Sequence, residues 1–131
     1  MTDQTTTTTG PIELVLPPDT RLVRVARLVA SGVATTAGFD VEELEDLRIA
    51  VDELCAALVE GGDGGVLSLR FELSPNGVSV YGSTPVAGAV ELEPERLSLS
   101  RQILKVVVDD YDITQAGGEL RVQLSKQRAH A

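Results

Sequence analysis

The sequence predicts an α+β fold, a two-layer sandwich in which three helices lie on one face of a mixed β-sheet. Three observations predict this fold. In three segments apolar residues recur at spacings of three and four, the period of a helix with one buried face. In other segments they alternate with polar residues, which is typical of half-buried strands. The predicted order is strand, two helices, hairpin, helix and hairpin, which favours one sheet covered on one side.

The first predicted strand covers residues 12–16, "IELVL", and two consecutive prolines end it. A helix over 20–37 follows. Asp19 or Thr20 can cap its start, and Gly38 ends it because glycine tolerates the left-handed conformation that often closes a helix. The apolar residues expected on its buried face are Leu22, Val25, Ala26, Val29 and Val33.

The second helix is predicted over 41–60. Asp40 and Glu43 have the spacing of a capping box, in which each side chain accepts a hydrogen bond from the main-chain N–H of the other residue. The glycine-rich stretch 61–65 ends this helix. The apolar residues of its buried face are Leu44, Leu47, Val51, Leu54 and Leu58.

A hairpin is predicted between residues 66–73 and 78–82, with Gly77 free to take a positive φ in the turn. A loop containing prolines and glycine leads to a third helix, predicted over 95–108. The last predicted strands cover 111–113 and 119–126, and the turn-forming stretch "TQAGG" separates them.

The chain of 131 residues fits a single domain over 11–127. The threonine-rich stretch 1–10 is predicted to be a disordered tail because it has too little apolar surface to offset the entropy of ordering. Residues 128–131 are predicted to be a frayed tail. Since aromatic residues make up only 3% of the chain, the core is expected to consist of Leu, Val, Ala and Ile.

The net charge of −9 argues against a broad nucleic-acid surface and against an anionic membrane surface, because both require a basic face. No apolar run is long enough for a membrane helix. The single cysteine, Cys55, allows no intramolecular disulfide and is interpreted as a small buried residue. A cytoplasmic location is therefore expected.

Several phrases together carry a resemblance to a known family: "LVRVARLVASGVATTAGF", "LEDLRIAVDELCAAL", "GVSVYGSTP" and "VVVDDYDI" followed by "GGELRVQLSK". From residue 12 to 126 the chain resembles the bacterial anti-sigma-factor serine kinases of the RsbW and SpoIIAB type. These belong to the GHKL ATPases, which have the Bergerat, or histidine-kinase-like ATPase, fold. The resemblance implies that fold for this chain.

In that family the second helix carries a catalytic Glu and, four residues later, a metal-holding Asn. This spacing puts both residues on one stripe of the helix. Glu53 matches the Glu, but Ala57 stands in place of the Asn. Alanine offers no oxygen to a hard cation, so no metal site is expected here. Glu53 is retained as a residual catalytic and cofactor-binding candidate.

Two further nucleotide motifs of the family are altered. The Asp that reads adenine and the Gly two residues after it correspond to Gly82 and Thr84. The two glycines that approach the phosphates correspond to Ser98 and Ser100, and the loop before them is shorter than the nucleotide lid of the family. With the metal ligand, the adenine acceptor and the phosphate glycines all replaced, the resemblance implies weak ATP binding or none, and no cofactor is expected.

Arg21, Arg24 and Arg27 form a basic stripe on the first helix, opposite its apolar face. One interpretation is a solvated face that pairs with acidic residues at the start of the second helix. The other is a partner surface, because similar proteins use an arginine at the position of Arg24 to contact both sigma factor and anti-anti-sigma protein. Arginine also suits interfaces because its planar head carries several donors.

The resemblance implies a regulator of transcription that works by partner switching. It would bind a sigma factor, an anti-anti-sigma protein with a STAS domain, or both, without competent ATP hydrolysis. The alternative is an active serine protein kinase that phosphorylates the anti-anti-sigma factor, with Glu53 as base and with ATP and Mg²⁺. A homodimer is a third possibility, since relatives often pair.

Overall fold

The computed structural model describes residues 10–88 and 94–129. Within them lie three α-helices and five strands in one α+β domain, so the predicted fold class is confirmed. The elements are β1 (Ile12–Leu16), a 3₁₀ turn (Thr20–Leu22), α1 (Val23–Thr36), α2 (Val41–Gly61), β2 (Leu67–Ser74), β3 (Gly77–Pro85), α3 (Pro94–Val107), β4 (Asp110–Ala116) and β5 (Glu119–Gln127).

The sheet has the strand order β1-β2-β3-β5-β4, and all its pairings in the described residues are antiparallel. The prediction of a mixed sheet is wrong in this respect. Two consecutive helices return the chain to the end where β1 stopped, so β2 runs opposite to β1. After β3 a single helix gives β4 the direction of β3, but β5 lies between these two strands and separates them.

One face of the sheet and the helices that cover it form the core. The central helix α2 lies against β2, β3 and β5, and α1 and α3 flank it. The core is almost entirely aliphatic, as the composition predicts. Its buried apolar sheet residues are Leu16, Leu67, Leu69, Phe71, Val78, Val80, Leu120, Val122 and Leu124. The buried leucines and valine of α2 are Leu47, Val51, Leu54 and Leu58.

The first helix contacts the core through smaller side chains than the sequence predicts. Ala26, Ala30, Val33 and Ala34 are its buried residues, whereas the predicted Val25 and Val29 are only partly buried. Small residues at a helix contact allow the two axes to approach closely. The helix is therefore rotated slightly from the position that its largest apolar residues indicate.

The capping box at the start of α2 is confirmed. The Asp40 carboxylate accepts the Glu43 N–H, and Glu43 Oε1 accepts the Asp40 N–H, both at 2.8 Å. Glu43 is buried, and its other carboxylate oxygen accepts the Ala129 N–H at 2.5 Å. The Arg128 N–H donates to the Asn76 carbonyl at 2.6 Å. Residues 128–129 are thus held against the fold rather than frayed, while residues 130–131 and 1–9 lie outside the described residues.

Gly77 is required for a different reason from the one predicted. It does not have a positive φ. Instead, a Cβ at this position would collide with the Lys126 carbonyl oxygen and lie 2.8 Å from Gln127 Cα. The glycine lets β3 and β5 approach closely. Gly38, in contrast, has the positive φ of 81° that its place after α1 predicts.

The second face of the sheet is polar, and no described element covers it. One row across it consists of Glu13, Arg70, Tyr81, Gln123 and Asp112. The Arg70 guanidinium stacks on the Tyr81 ring at 4.6 Å from its centroid. Among the described residues, no helix is both long and apolar enough to cross a membrane.

Candidate functional site

The residues predicted to form a nucleotide site lie where α2 and α3 pack beside each other above β3. The two helices run in opposite directions, because Ser100 of α3 lies beside Glu53, while Lys126 Nζ bridges the Val107 carbonyl and Asp46, near the start of α2. The structure therefore brings the altered motif positions to one region, although it does not join all of them in one site.

Glu53 and Ser100 are in direct contact. The Ser100 hydroxyl donates a hydrogen bond of 2.6 Å to Glu53 Oε2, and Ser100 is only 2% exposed. A short bond to a carboxylate is among the stronger side-chain hydrogen bonds. The carboxylate that the resemblance assigns as a base is thus hydrogen-bonded to the chain's own third helix.

Gly82 faces α2 at very short range. A Cβ built at this position would lie 2.6 Å from Leu54 Cδ2 and 2.9 Å from Leu58 Cδ1. Real Cβ atoms do not come this close to other atoms, so a side chain here requires the Leu54 and Leu58 side chains to move. The position that the resemblance aligns with the adenine-reading Asp therefore lacks a carboxylate, and a carboxylate placed there would have to displace the ends of two leucine side chains.

Ala57 and Thr84 both serve the packing of α2. Ala57 is 3% exposed and belongs to the hydrophobic core. Thr84 is buried, and its hydroxyl donates to the Val66 carbonyl at 3.0 Å. Its methyl group occupies the space beside Gly62, where a Cβ would lie 2.8 Å away. Neither side chain offers a group to a ligand.

Ser98 is separated from the other motif positions. It is exposed, and it lies inside α3, which begins at Pro94, rather than in a loop that could approach phosphates. The loop that the sequence predicts to be shorter than a nucleotide lid includes residues 89–93, which lie outside the described residues. Within the described part of the chain, no group of three or more His, Cys, Asp or Glu residues could hold a metal ion.

The basic stripe of the first helix is divided by ion pairs. Arg21 Nη2 lies 2.7 Å from Asp19 Oδ2, and hydrogen bonds from the Arg21 side chain and N–H lower the pKa of Asp19 to about 2. This pair is local, because Asp19 also caps the 3₁₀ turn before α1. Arg21 is thus tied to the segment that precedes the helix.

Arg27 pairs with Asp52 across the contact between α1 and α2. Arg27 Nε lies 2.7 Å from Asp52 Oδ1, but the two atoms are not aligned as a hydrogen bond. Burial raises the pKa of Asp52 more than the charge of Arg27 lowers it. Arg27 therefore joins two helices, although its partner is in the middle of α2 rather than at the acidic start. Burial also raises the pKa of the Cys55 thiol to about 12, which keeps it unreactive.

Arg24 is the arginine of the stripe that stays available. It is exposed, and its Nε donates to the Arg21 carbonyl of its own helix at 3.2 Å. One turn later lies Leu28, with 70% of its surface exposed. The sequence analysis did not single out Leu28. The signal was available, since this leucine falls on the polar side of the helical pattern.

Comparison with known proteins places this geometry in context. No family model matches the chain. A 122-residue match at 29% identity to a serine-protein kinase RsbW from Bacillus cereus covers 78% of this chain and 76% of the relative. A serine-protein kinase RsbW from Halalkalibacterium halodurans is 38% identical over 64 residues, and one from Bacillus pumilus is 39% identical over 66 residues.

These last two matches cover 47% and 46% of this chain and only 40% and 41% of the relatives. The fold is similar to a crystal structure of the RsbU and RsbW domains of a Mycobacterium tuberculosis protein. The TM-score is 0.72 at 16% identity, over 91% of this chain and 32% of that one. In sequence the chain is thus similar to the serine-protein kinases RsbW, and in fold it is similar to a structure that contains an RsbW domain.

Proposed function

We propose that the protein is a partner-switching regulator of transcription that binds a sigma factor, a STAS-domain anti-anti-sigma protein, or both, through the outer face of α1, without turning over ATP. The observation that carries this proposal is the contact of Gly82 with Leu54 and Leu58. A regulator that acts by binding alone needs the scaffold and its surface, whereas a kinase needs an open nucleotide pocket.

The kinase alternative depends on Glu53, the one catalytic position that still carries the residue of the family. Phosphoryl transfer depends on a metal, a phosphate cradle and an oriented nucleophile. Here the expected metal ligand is the buried Ala57, and the Glu53 carboxylate already accepts a hydrogen bond from Ser100. These contacts support binding without catalysis as the better proposal.

Calorimetric titration with Mg-ATP tests the proposal. We expect no heat of binding from this protein under conditions in which the RsbW kinase of Bacillus cereus, as positive control, binds. We also expect no radiolabel transfer from ATP to a STAS protein of the same genome, although this protein should bind it or the sigma factor. Transfer of label would establish the kinase alternative. Failure to bind either protein would overturn the regulatory role.

A further inference from the structure

The third helix carries a second apolar stripe beside the one that the core uses. Leu99, Ile103 and Val106 are spaced by four and three residues, so they lie along one side of α3. Leu99 is 48% exposed and Val106 is 82% exposed, while Ile103 is partly buried against the core. On the neighbouring stripe Leu104 and Val107 are buried. The core therefore accounts for the stripe of Leu104 and Val107 but leaves most of the other stripe uncovered.

The uncovered stripe lies on the side of α3 that faces α2. On the opposite side of α3, Arg101 Cζ lies 5.9 Å from the centre of the Tyr111 ring of β4. The hydrogen bond between Ser100 and Glu53 shows which turns of the two helices are level. Because the helices are antiparallel, the middle of the stripe is level with Ile49, one turn before Glu53 and 41% exposed. The apolar surface formed by these residues is called the α2–α3 groove, and it consists of Ile49, Leu99, Ile103 and Val106.

The α2 wall of this groove is acidic. Glu42, Glu45 and Asp52 are spaced by three and seven residues, so they share the outer stripe of α2. Glu42 is exposed and makes no ion pair with a described residue. Glu45 pairs with Arg48 and Asp52 pairs with Arg27, but both pairs are half-exposed and therefore weak. On a chain of net charge −9, this wall is complementary to a cationic partner.

A helix is the element that fits such a groove. Spacings of four and three residues are those of the apolar seam between packed helices, and a groove between two helices accommodates a third. The charges decide which helix can bind. In a two-fold dimer, a second copy of this chain would bring its own acidic stripe against this one. Nucleic acid and anionic membranes are likewise repelled. The occupant is therefore a helix with an apolar stripe flanked by Lys or Arg.

We propose that the α2–α3 groove binds a basic amphipathic helix of the sigma factor. A protein that binds DNA needs basic surface for the phosphates, so the sigma factor is the candidate partner whose chemistry matches the acidic wall. This contact is separate from the outer face of α1, because α2 lies between α1 and α3. The inference rests on the proposed function in taking a sigma factor as partner, and it assigns the groove to that protein alone.

Apolar truncations test the floor of the groove. Leu99→Ala and Val106→Ala should each weaken binding of the purified sigma factor of the same genome by about five- to tenfold, and the double variant should weaken it further. Both side chains are exposed, so the urea unfolding curve should stay close to that of the parent. Val15→Ala, at a 62% exposed apolar residue of β1, is the matched control and should bind like the parent.

Charge reversals test the acidic wall. Glu42→Lys should slow association of the sigma factor about tenfold at low salt, and the difference should shrink at high salt because ions screen the attraction. Glu13→Lys makes the same change of net charge on the polar face of the sheet and should leave the association rate close to that of the parent. Equal slowing by both variants would assign the effect to net charge and would contradict an acidic wall at the groove.

The outcomes separate this inference from the regulatory role. If the parent binds the sigma factor and the Leu99→Ala, Val106→Ala double variant binds it equally well, the groove is wrong while the regulatory role stands. If the double variant loses only a STAS protein of the same genome, the assigned occupant is wrong. If the parent binds neither protein, both proposals fail.

Discussion

Glycine at Gly82 and glycine at Gly32 have opposite relations to their surroundings. At Gly82 the absence of a side chain lets Leu54 and Leu58 of α2 rest directly on β3. At Gly32 the space around the Cα is open. Residue identity alone therefore does not distinguish a glycine that the core requires from one that the core tolerates.

Gly82→Ala should destabilise the protein by about 1–3 kcal/mol, since the added methyl group overpacks a core whose atoms have little freedom to move. The free energy of unfolding in urea measures this effect. Gly32→Ala is the matched control and should unfold at the same or at a higher urea concentration. Equal stability of Gly82→Ala and the parent would mean that the Leu54 and Leu58 side chains make room for the methyl group at no cost.

At the scale of elements, α1 and α2 meet through small apolar residues and one ion pair at the edge of the contact. The Arg27–Asp52 pair is half-exposed, so it is worth little on its own, as is usual for pairs near the surface. The pair nevertheless affects how stability depends on pH, because burial raises the pKa of Asp52 above the ordinary 3.8 despite the nearby guanidinium.

A carboxyl group with a raised pKa binds its proton more tightly in the folded than in the unfolded state. Its contribution to stability is complete below pH 3.8 and is lost as the pH rises through the raised value. Asp52→Asn should therefore gain stability relative to the parent as the pH rises above 3.8, by less than about 1 kcal/mol because the group is partly solvated. Unfolding curves across this range provide the measurement.

The Arg27→Gln variant supplies the control. It removes a charge that lowers the pKa of Asp52, so the loss of stability with rising pH should become larger than in the parent. A smaller loss in this variant would mean that Arg27 does not lower the pKa of Asp52. A gain of stability with rising pH in the parent would mean that the attraction of Arg27, rather than burial, dominates.

At the scale of the whole molecule, the segment from Lys126 to Ala129 connects distant parts of the fold. Lys126 reaches the start of α2 and the end of α3, Arg128 reaches the turn between β2 and β3, and Ala129 reaches Glu43. Each contact joins residues that are far apart in sequence. Glu43 is central to this arrangement, because its two oxygens accept the N–H of Asp40 at the start of α2 and the N–H of Ala129 at the end of the described chain.

Glu43→Gln should destabilise the fold by about 1–3 kcal/mol, because an amide has one acceptor oxygen and either the Asp40 or the Ala129 N–H then loses its partner. Thermal and urea unfolding both measure this loss. Glu42→Gln, at the exposed neighbouring position in the same helical turn, is the control and should change stability by less than about 0.5 kcal/mol. If the two variants unfold alike, the hydrogen bond between the Ala129 N–H and Glu43 contributes nothing to the stability of the fold.

The sequence predicted those features that depend on neighbours along the chain. The strand Ile12–Leu16 and the capping box of Asp40 and Glu43 are found as predicted, since prolines and capping spacings act locally. The helices lie within a few residues of their predicted ends. The resemblance correctly indicated the fold. Which of Glu53, Ala57, Gly82, Thr84, Ser98 and Ser100 meets a ligand is still a prediction.

The features that the sequence missed depend on contacts between distant segments. The reason for Gly77 lies in Lys126, and the order at Ala129 depends on Glu43. The tight packing around Gly82 depends on Leu54 and Leu58 of α2. No pattern within β3 can indicate these contacts. Similarly, α1 packs through its alanines because of the shape of the α2 surface, and the largest apolar residues of α1 do not decide which face is buried.

The placement of the aromatic rings has one further consequence. The chain has no tryptophan and two tyrosines, Tyr81 on β3 and Tyr111 on β4, each beside an arginine side chain. Absorption and emission in the near ultraviolet therefore originate mainly in the sheet. The first helix contains no aromatic residue. Binding of a molecule to this helix would therefore change the ultraviolet absorption or fluorescence chiefly through the aromatic groups of that molecule.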